Sequence, residues 1–444
     1  MKWLRIFAGI AAGLFLFCEI AAGLNYIYVP DSEWERIVMH YFYEDEGKID
    51  NILLGSSHVH NNMDPFLLDE KSGQYNFNLA TPAQLLNGTY YLLKEADKKN
   101  TLSHVYIELY YNYNVKNIDN TEAIITEPFR NWQITDYMKF SFNKLAYMHS
   151  ITDTEEYPGI LFPFTRYRAE LDNWDHIRTT IENKKGEQYI NYESSRYFED
   201  GNGYEECRPK GFRYNTRVYQ ERDRIFEQGH ILSQRPLAET SRYYLEKIIS
   251  YCQGKDIPVT LFVSPIYELQ LISTEGYDDY IDQIRAIADE YGVDFYDFNL
   301  AKEEYLPIQH TKYFMDIEHL NADGAAMYTN FFWQVVSADP AENEKYFYDS
   351  YKEKLENKEP ELYGLYYREE ESTKRMWIAS NREAGIEYRI VCTPTEPEGR
   401  AEYVVQDFSE NKEFTVEGEE HGVCTIAYRF PENPELIQTI EIEY

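Results

Sequence analysis

Between Asp50 and Val336 short apolar runs alternate with amphipathic stretches of helical period, and this alternation predicts a parallel α/β sheet. The first run, Ile52-Leu53-Leu54, ends on Gly55-Ser56-Ser57 and a polar loop. TPAQLLNGTYYLLKEADKKN reads as a helix with Thr81 as N-cap, Pro82 at its first position, and Leu86, Tyr90, Leu93 and Ala96 on one face. HVYIELYY is a second buried strand. SRYYLEKIISYCQGKD is a helix that stops near Gly254 and leads into the strand PVTLFVSP. YDDYIDQIRAIADEYG repeats the plan, with Ile281, Ile284, Ala288 and Tyr291 inward, and leads into VDFYDF. These repeats give one doubly wound domain over residues 31–340.

Two stretches depart from that rhythm. Residues from about 115 to 235 are rich in Tyr, Arg, Asn and Asp without a clean period, and read as an insertion over the carboxyl edge of the sheet, as a lid, a substrate wall or a structural cap. Residues 341–374 read as a charged, partly helical connector. Residues 375–444 alternate apolar and polar positions at short spacing, which predicts a small antiparallel β-sandwich.

The first 30 residues bear on location. Lys2 and Arg5 precede a run from Ile6 to Leu24 whose only charge is Glu19. That run is long enough for a spanning helix. The positive flank keeps the N-terminus inside and puts the remainder of the chain, as a single-pass protein, outside the cell membrane. Ala21-Ala22-Gly23 leaves a cleaved signal peptide as the alternative. Outside the membrane disulfides become possible. Cys392 and Cys424 each fall in phase with the apolar face of their strands, which leaves a pair or two buried thiols open.

Composition narrows the partners. An apolar fraction of 43% with 16% aromatics belongs to a folded chain of 444 residues. A formal charge of −34 excludes a nucleic-acid partner and repels anionic headgroups, so membrane attachment falls to the N-terminal helix.

A serine at a strand end becomes a nucleophile only with a base, and the base needs a group that fixes its tautomer. Among ten histidines, His319 stands three residues after Asp316 and just before a helix starting near Asn321. Asp-x-x-His lets the carboxylate reach Nδ1 and leaves Nε2 for a serine hydroxyl. In a parallel sheet the loops after the first and last strands emerge at the same carboxyl edge. His58 and His60 gather no acidic or cysteine ligands nearby in sequence, so no metal is expected, and no glycine-rich phosphate loop calls for a cofactor. Glu108, Asp297 and Asp64 lie near strand ends and read as structural carboxylates rather than a glycosidic acid–base pair.

Over residues 50–336 these blocks resemble the SGNH/GDSL hydrolase superfamily, and within it the membrane-anchored branch of the D-alanyl-lipoteichoic acid transfer protein D and the alginate O-acetyltransferases. The resemblance implies a three-layer α/β/α domain. The family's Gly-Asp-Ser block appears here as Gly55-Ser56-Ser57, which places the nucleophile at Ser57, and its Asp-x-x-His block as Asp316 and His319. The oxyanion donors map to Ala80, where the family has a glycine, and to Asn112, which lacks the family's preceding glycine. The implied activity is O-acylation of a cell-surface polysaccharide or teichoic-type polymer through an acyl-serine, with a membrane-bound O-acyltransferase as the partner delivering acyl groups. A carbohydrate esterase and a non-catalytic anchored binding protein with a vestigial triad are the rival readings. Within the insertion, Trp174, Tyr167 and Arg166 are the expected wall for a sugar acceptor.

Overall fold

The structure is a computed structural model. It describes residues 2–31, 33–114, 129–151, 157–220, 225–227, 237–370, 372–382, 384–396, 401–417 and 421–444. The protein is α/β, with a five-stranded parallel sheet and separate antiparallel sheets at its C-terminal end. In chain order the strands of the parallel sheet are β1 (Asn51–Leu54), β2 (Asn76–Asn78), β3 (His104–Glu108), β4 (Val259–Val263) and β5 (Asp294–Asp297), and the sheet order is β2-β1-β3-β4-β5. The chain divides into two compact units, residues Met1–Arg217 with Leu237–Phe262, and Val218–Pro236 with Val263–Tyr444.

In the first unit, β1 pairs in parallel with β2 and β3, Leu53 facing Asn78 on one side and Tyr106 on the other. All four residues of β1 are buried, as a parallel strand covered on both faces requires. β2 is not legible as a strand in the sequence. It is three residues long, and Asn76 and Asn78 are buried by side-chain hydrogen bonds instead of apolar packing. The helix expected from Thr81 starts later, at Leu86, and runs to Asp97. The intervening chain continues the β1 ladder, with Leu79 N–H donating to the Leu53 carbonyl at 2.9 Å and Thr81 N–H to the Gly55 carbonyl at 3.4 Å. The Thr81 hydroxyl donates to Gln84 Oε1, so Thr81 is a turn residue and not a cap.

At the start of β3, His104 lies beneath the surface with Nε2 2.9 Å from Thr260 Oγ1 and its ring stacked on Tyr106. Burial pushes its pKa down to about 4. Unfolding returns the ring to water, where a histidine titrates near 6.5. The contribution is therefore full above about 6.5 and is lost as pH falls towards 4. His104→Gln keeps a side chain for Thr260 without the proton. Urea midpoints are expected to drop less between pH 7 and pH 5 in that variant than in the parent, and parallel curves would remove the assignment.

In the second unit, helix Tyr277–Tyr291 ends on Gly292 in the left-handed conformation and leads to β5. Asp297 at the end of β5 accepts hydrogen bonds from the Tyr277 hydroxyl and Asn299 N–H, and burial nonetheless raises its pKa to about 6. The C-terminal sandwich has two four-stranded sheets around one core that includes Leu365, Met376, Tyr388, Ile390, Phe414 and Ile426. It starts earlier than the sequence pattern indicates. Strand Leu362–Glu370 lies inside the stretch expected to be a connector, and Ile225–Glu227, from the expected insertion, pairs with it in parallel. Cys392 and Cys424 face each other across the second sheet with sulfurs 2.9 Å apart, as two buried thiols.

Candidate active site

Gly55 sits where the backbone turns from β1 into a short helix, Ser57–Asn62. A Cβ at Gly55 would meet Glu108 Cβ and Val59 Cγ2 at 2.6 Å, so the close approach of these neighbours requires glycine. The register explains the contact: Leu54 pairs with Ile107, which brings the next residue of β3, Glu108, level with Gly55.

That carboxylate separates the two serines. Glu108 Oε2 accepts from the Ser56 backbone N–H at 3.0 Å and from its hydroxyl at 2.9 Å. Ser56 is the N-cap of the helix, its oxygen accepting from His58 N–H at 3.3 Å with His58 Nδ1 at 3.0 Å. Its proton is committed to a buried carboxylate, and the side chain is 2% exposed. Ser57, the first helical residue, is half-buried. Ser56 is the brace of the turn, and Ser57 is the serine the turn presents.

Ser56→Ala is expected to lower unfolding stability by roughly 2 kcal/mol, since it removes a cap and leaves Glu108 with one partner fewer in a buried site. Denaturant titration reads the loss directly. A midpoint equal to the parent's would mean that the Glu108 bond contributes nothing to the turn.

The oxyanion assignments are differently placed. Ala80 is buried, and its N–H donates to Asn78 Oδ1 at 3.3 Å. The Asn78 amide in turn donates to the Val59 and Met63 carbonyls at 2.8 and 3.1 Å, which ties the segment to the serine helix. Asn112 lies in a one-turn helix, Tyr111–Asn114, a few residues past the end of β3, and its side chain lies outside the described residues.

The Asp-x-x-His turn forms as its spacing implies. An antiparallel bridge between Phe314 and Leu320 closes the loop, and Met315 N–H donates to the His319 carbonyl. Asp316 Oδ1 accepts the backbone N–H groups of Glu318 and His319, both at 2.8 Å. His319 Nδ1 lies 3.0 Å from both oxygens of the same carboxylate. Asn321 then caps helix Ala322–Val336, accepting from Gly324 N–H. Burial works to raise the Asp316 pKa, but the facing imidazole and the converging N–H groups outweigh it and hold the value at about 2. A carboxylate ionised at any working pH keeps the proton of a neutral His319 on Nδ1, which makes Nε2 the basic nitrogen. The His319 side chain is 16% exposed.

The three residues expected to form an acceptor wall each have partners within the first unit. Arg166 forms an ion pair with Asp136 and lies over the Trp132 ring at 4.3 Å, so its guanidinium is already committed. Tyr167 stacks on His176, and His176 Nε2 lies 2.8 Å from the carbonyl of Tyr28 at the end of the N-terminal helix. Trp174 opens helix Trp174–Lys185, which packs on that same helix, and its own ring is 76% exposed. Asp64 caps helix Pro65–Ser72, and Asp297 accepts from Tyr277 and Asn299.

A cavity of about 180 Å³ lies in the first unit beside the serine helix. Its lining includes His60, three residues after Ser57, and Pro82, two after Ala80, together with Trp34, Arg196, Glu205 and Arg213. Arg196 and Arg213 both pair with Glu205 at 2.6 Å, so the wall is polar and close to neutral. Trp34 packs on His60, and its indole N–H is buried without a hydrogen-bond partner among the described residues. No periodicity in the sequence points to this group, because its members come from two helices (Glu33–Glu44 and Ser57–Asn62), a turn and a three-stranded sheet (Ser195–Tyr197, Tyr204–Arg208 and Phe212–Asn215) far apart in the chain.

No family model and no curated protein matches the chain. Among solved structures, one alignment is to beta-glucosidase 3B from Thermotoga neapolitana in complex with glucose, at 11% identity over 90% of this chain and 76% of that one, with a TM-score of 0.11, a likeness that carries no argument.

Proposed function

We propose that the protein is a membrane-anchored, serine-dependent acyltransferase of SGNH type, acting outside the membrane on a carbohydrate or teichoic-type acceptor. The observation that carries this reading is the Asp316–His319 pair, a histidine held by a doubly anchored carboxylate with Nδ1 at 3.0 Å from both oxygens. Such a pair is what a serine nucleophile needs as its base. The glycine turn braced by Glu108 supports Ser57 as that nucleophile.

The proposed reaction has two halves. The Ser57 hydroxyl attacks the acyl carbonyl while His319 Nε2 takes its proton, and the donor alcohol leaves with that proton. An acceptor hydroxyl then attacks the acyl-serine, losing its proton to His319 and restoring Ser57. The polar, nearly neutral cavity at His60, with Trp34 in its wall, suits an uncharged sugar hydroxyl as acceptor better than the committed Arg166 does. The N-terminal helix, long and apolar enough to cross a membrane, would keep the reaction beside a membrane-bound O-acyltransferase supplying acyl groups.

The test uses the full chain with a chromogenic acetyl ester, with and without a glycan oligomer. A transferase releases the chromophore and moves the acetyl group to the oligomer. An esterase releases it without acceptor dependence, and a binding protein releases none, which would end the proposal. Trp34→Ala is expected to reduce transfer several-fold more than hydrolysis, whereas equal losses would remove the cavity from the acceptor site.

A further inference from the structure

Five residues of the insertion meet the N-terminal helix, α1 (Lys2–Tyr28), or the residue that follows it. Lys184 donates to the carbonyls of Asn25, Tyr26 and Val29, satisfying the end of α1. His176 approaches the Tyr28 carbonyl, and Phe164 N–H donates to Asn25 Oδ1 at 2.9 Å. The Tyr28 hydroxyl donates to the Leu171 carbonyl at 3.4 Å. Further down, Phe162 meets Phe17 edge to face with ring centroids 5.2 Å apart.

These contacts fix levels along α1. Its apolar run Ile6–Leu24 spans about 28 Å at 1.5 Å per residue, close to the roughly 30 Å hydrocarbon thickness of a bilayer. Phe17 lies seven residues before Leu24, about 10 Å below the outer boundary on the same rise. Phe162 shares that level. Tyr28 lies four residues beyond Leu24, about 6 Å outside, within the headgroup layer that favours Trp and Tyr. Leu171 is at that level with 54% exposure, and Trp174, two residues before His176, is 76% exposed.

The segment between them has the chemistry for that depth. Residues 157–164, Tyr-Pro-Gly-Ile-Leu-Phe-Pro-Phe, carry no charge. Their backbone closes on itself through a short helix Tyr157–Leu161 and a following 3₁₀ turn, with Phe162 N–H donating to Pro158 and Thr165 N–H to Phe162. Phe164 N–H is taken up by Asn25 of α1, and apolar side chains on backbone bonded within the protein are what the hydrocarbon layer tolerates.

We propose that residues 157–164 enter the outer half of the lipid bilayer beside α1, while Leu171 and Trp174 rest in the headgroup layer. The occupant of this surface is the membrane itself, and the proposal rests on α1 spanning it. The first unit then meets the bilayer by a wedge as well as by its anchor, which fixes its height above the lipid.

The full chain reconstituted in phosphatidylcholine vesicles tests this, in a Trp3→Phe background that silences the tryptophan at the other end of α1. Lipids brominated high on the acyl chain are expected to quench part of the tryptophan emission. Trp174→Phe should lose that part, and Trp377→Phe should retain it. Phe162→Trp, added to Trp174→Phe, should restore quenching, now stronger with lipids brominated deep in the chain. Co-flotation with vesicles but no quenching from position 174 or 162 overturns the wedge and leaves the anchor standing. Failure to co-float overturns both. Because Trp174 is native and exposed, its reading does not depend on an introduced ring being accepted.

Discussion

Ser57→Ala is expected to lower ester turnover by several orders of magnitude while changing unfolding stability by less than about 1 kcal/mol, as exposed or half-exposed substitutions outside caps and cores do. Ser57 is half-buried at the first position of a six-residue helix, a place alanine fills readily. Ser56→Ala is the informative contrast. Its side chain is the cap and the Glu108 partner, so its loss weakens the turn while the nucleophile remains. Activity should therefore fall far less in Ser56→Ala than in Ser57→Ala, and stability far more. A fluorophosphonate ester gives a second readout, because it adds covalently to an activated serine. The adduct should map to Ser57, persist in Ser56→Ala and vanish in Ser57→Ala. If the adduct maps to Ser56, the assignment of the nucleophile is displaced by one residue.

The parts of this arrangement that were legible in the sequence are those with strong local signals. β1, β3, β4 and β5 read as strands because apolar runs of that length, bounded by turns, have few other places to go. The Asp316–His319 contact follows from spacing alone, since a three-residue separation in a tight loop brings both groups to one side. β2 escaped because two of its three residues are asparagines whose burial rests on partners distant in the chain. Glu108 was visible as a strand-end carboxylate, but its role needed the register of β3 against β1. The insertion's partners were not legible for a physical reason. Tyr, Trp and Arg suit a sugar platform and a membrane interface equally well, and spacing does not show that Arg166 pairs with Asp136, that Leu171 meets Tyr28 or that Phe162 meets Phe17. The strand Leu362–Glu370 was obscured by Arg368, Glu369 and Glu370 at its exposed end, which blend into the charged run around it.

Asp316→Asn should lower the rate by about 10⁴-fold, the loss that a mis-set histidine tautomer causes in serine proteases. The wild-type carboxylate performs two tasks. Oδ1 accepts the Glu318 and His319 N–H groups, and both oxygens face His319 Nδ1. An asparagine whose oxygen keeps the two backbone N–H groups must turn its NH₂ towards the ring. Nδ1 then becomes the acceptor, the ring proton moves to Nε2, and Nε2 no longer takes a proton from a serine. The turn survives because its backbone bonds do, so the fold should remain while the rate collapses. Stability supplies an independent check. Asp316 is held at about 2, below the usual carboxylate value near 3.9, so its contribution is full above about 3.9 and is lost as pH falls towards 2. The asparagine variant has no such proton to take up and should show a shallower acid loss than the parent. A near-normal rate in Asp316→Asn, with the tautomer reversed, would mean that His319 serves this loop as structure and is not the base for Ser57.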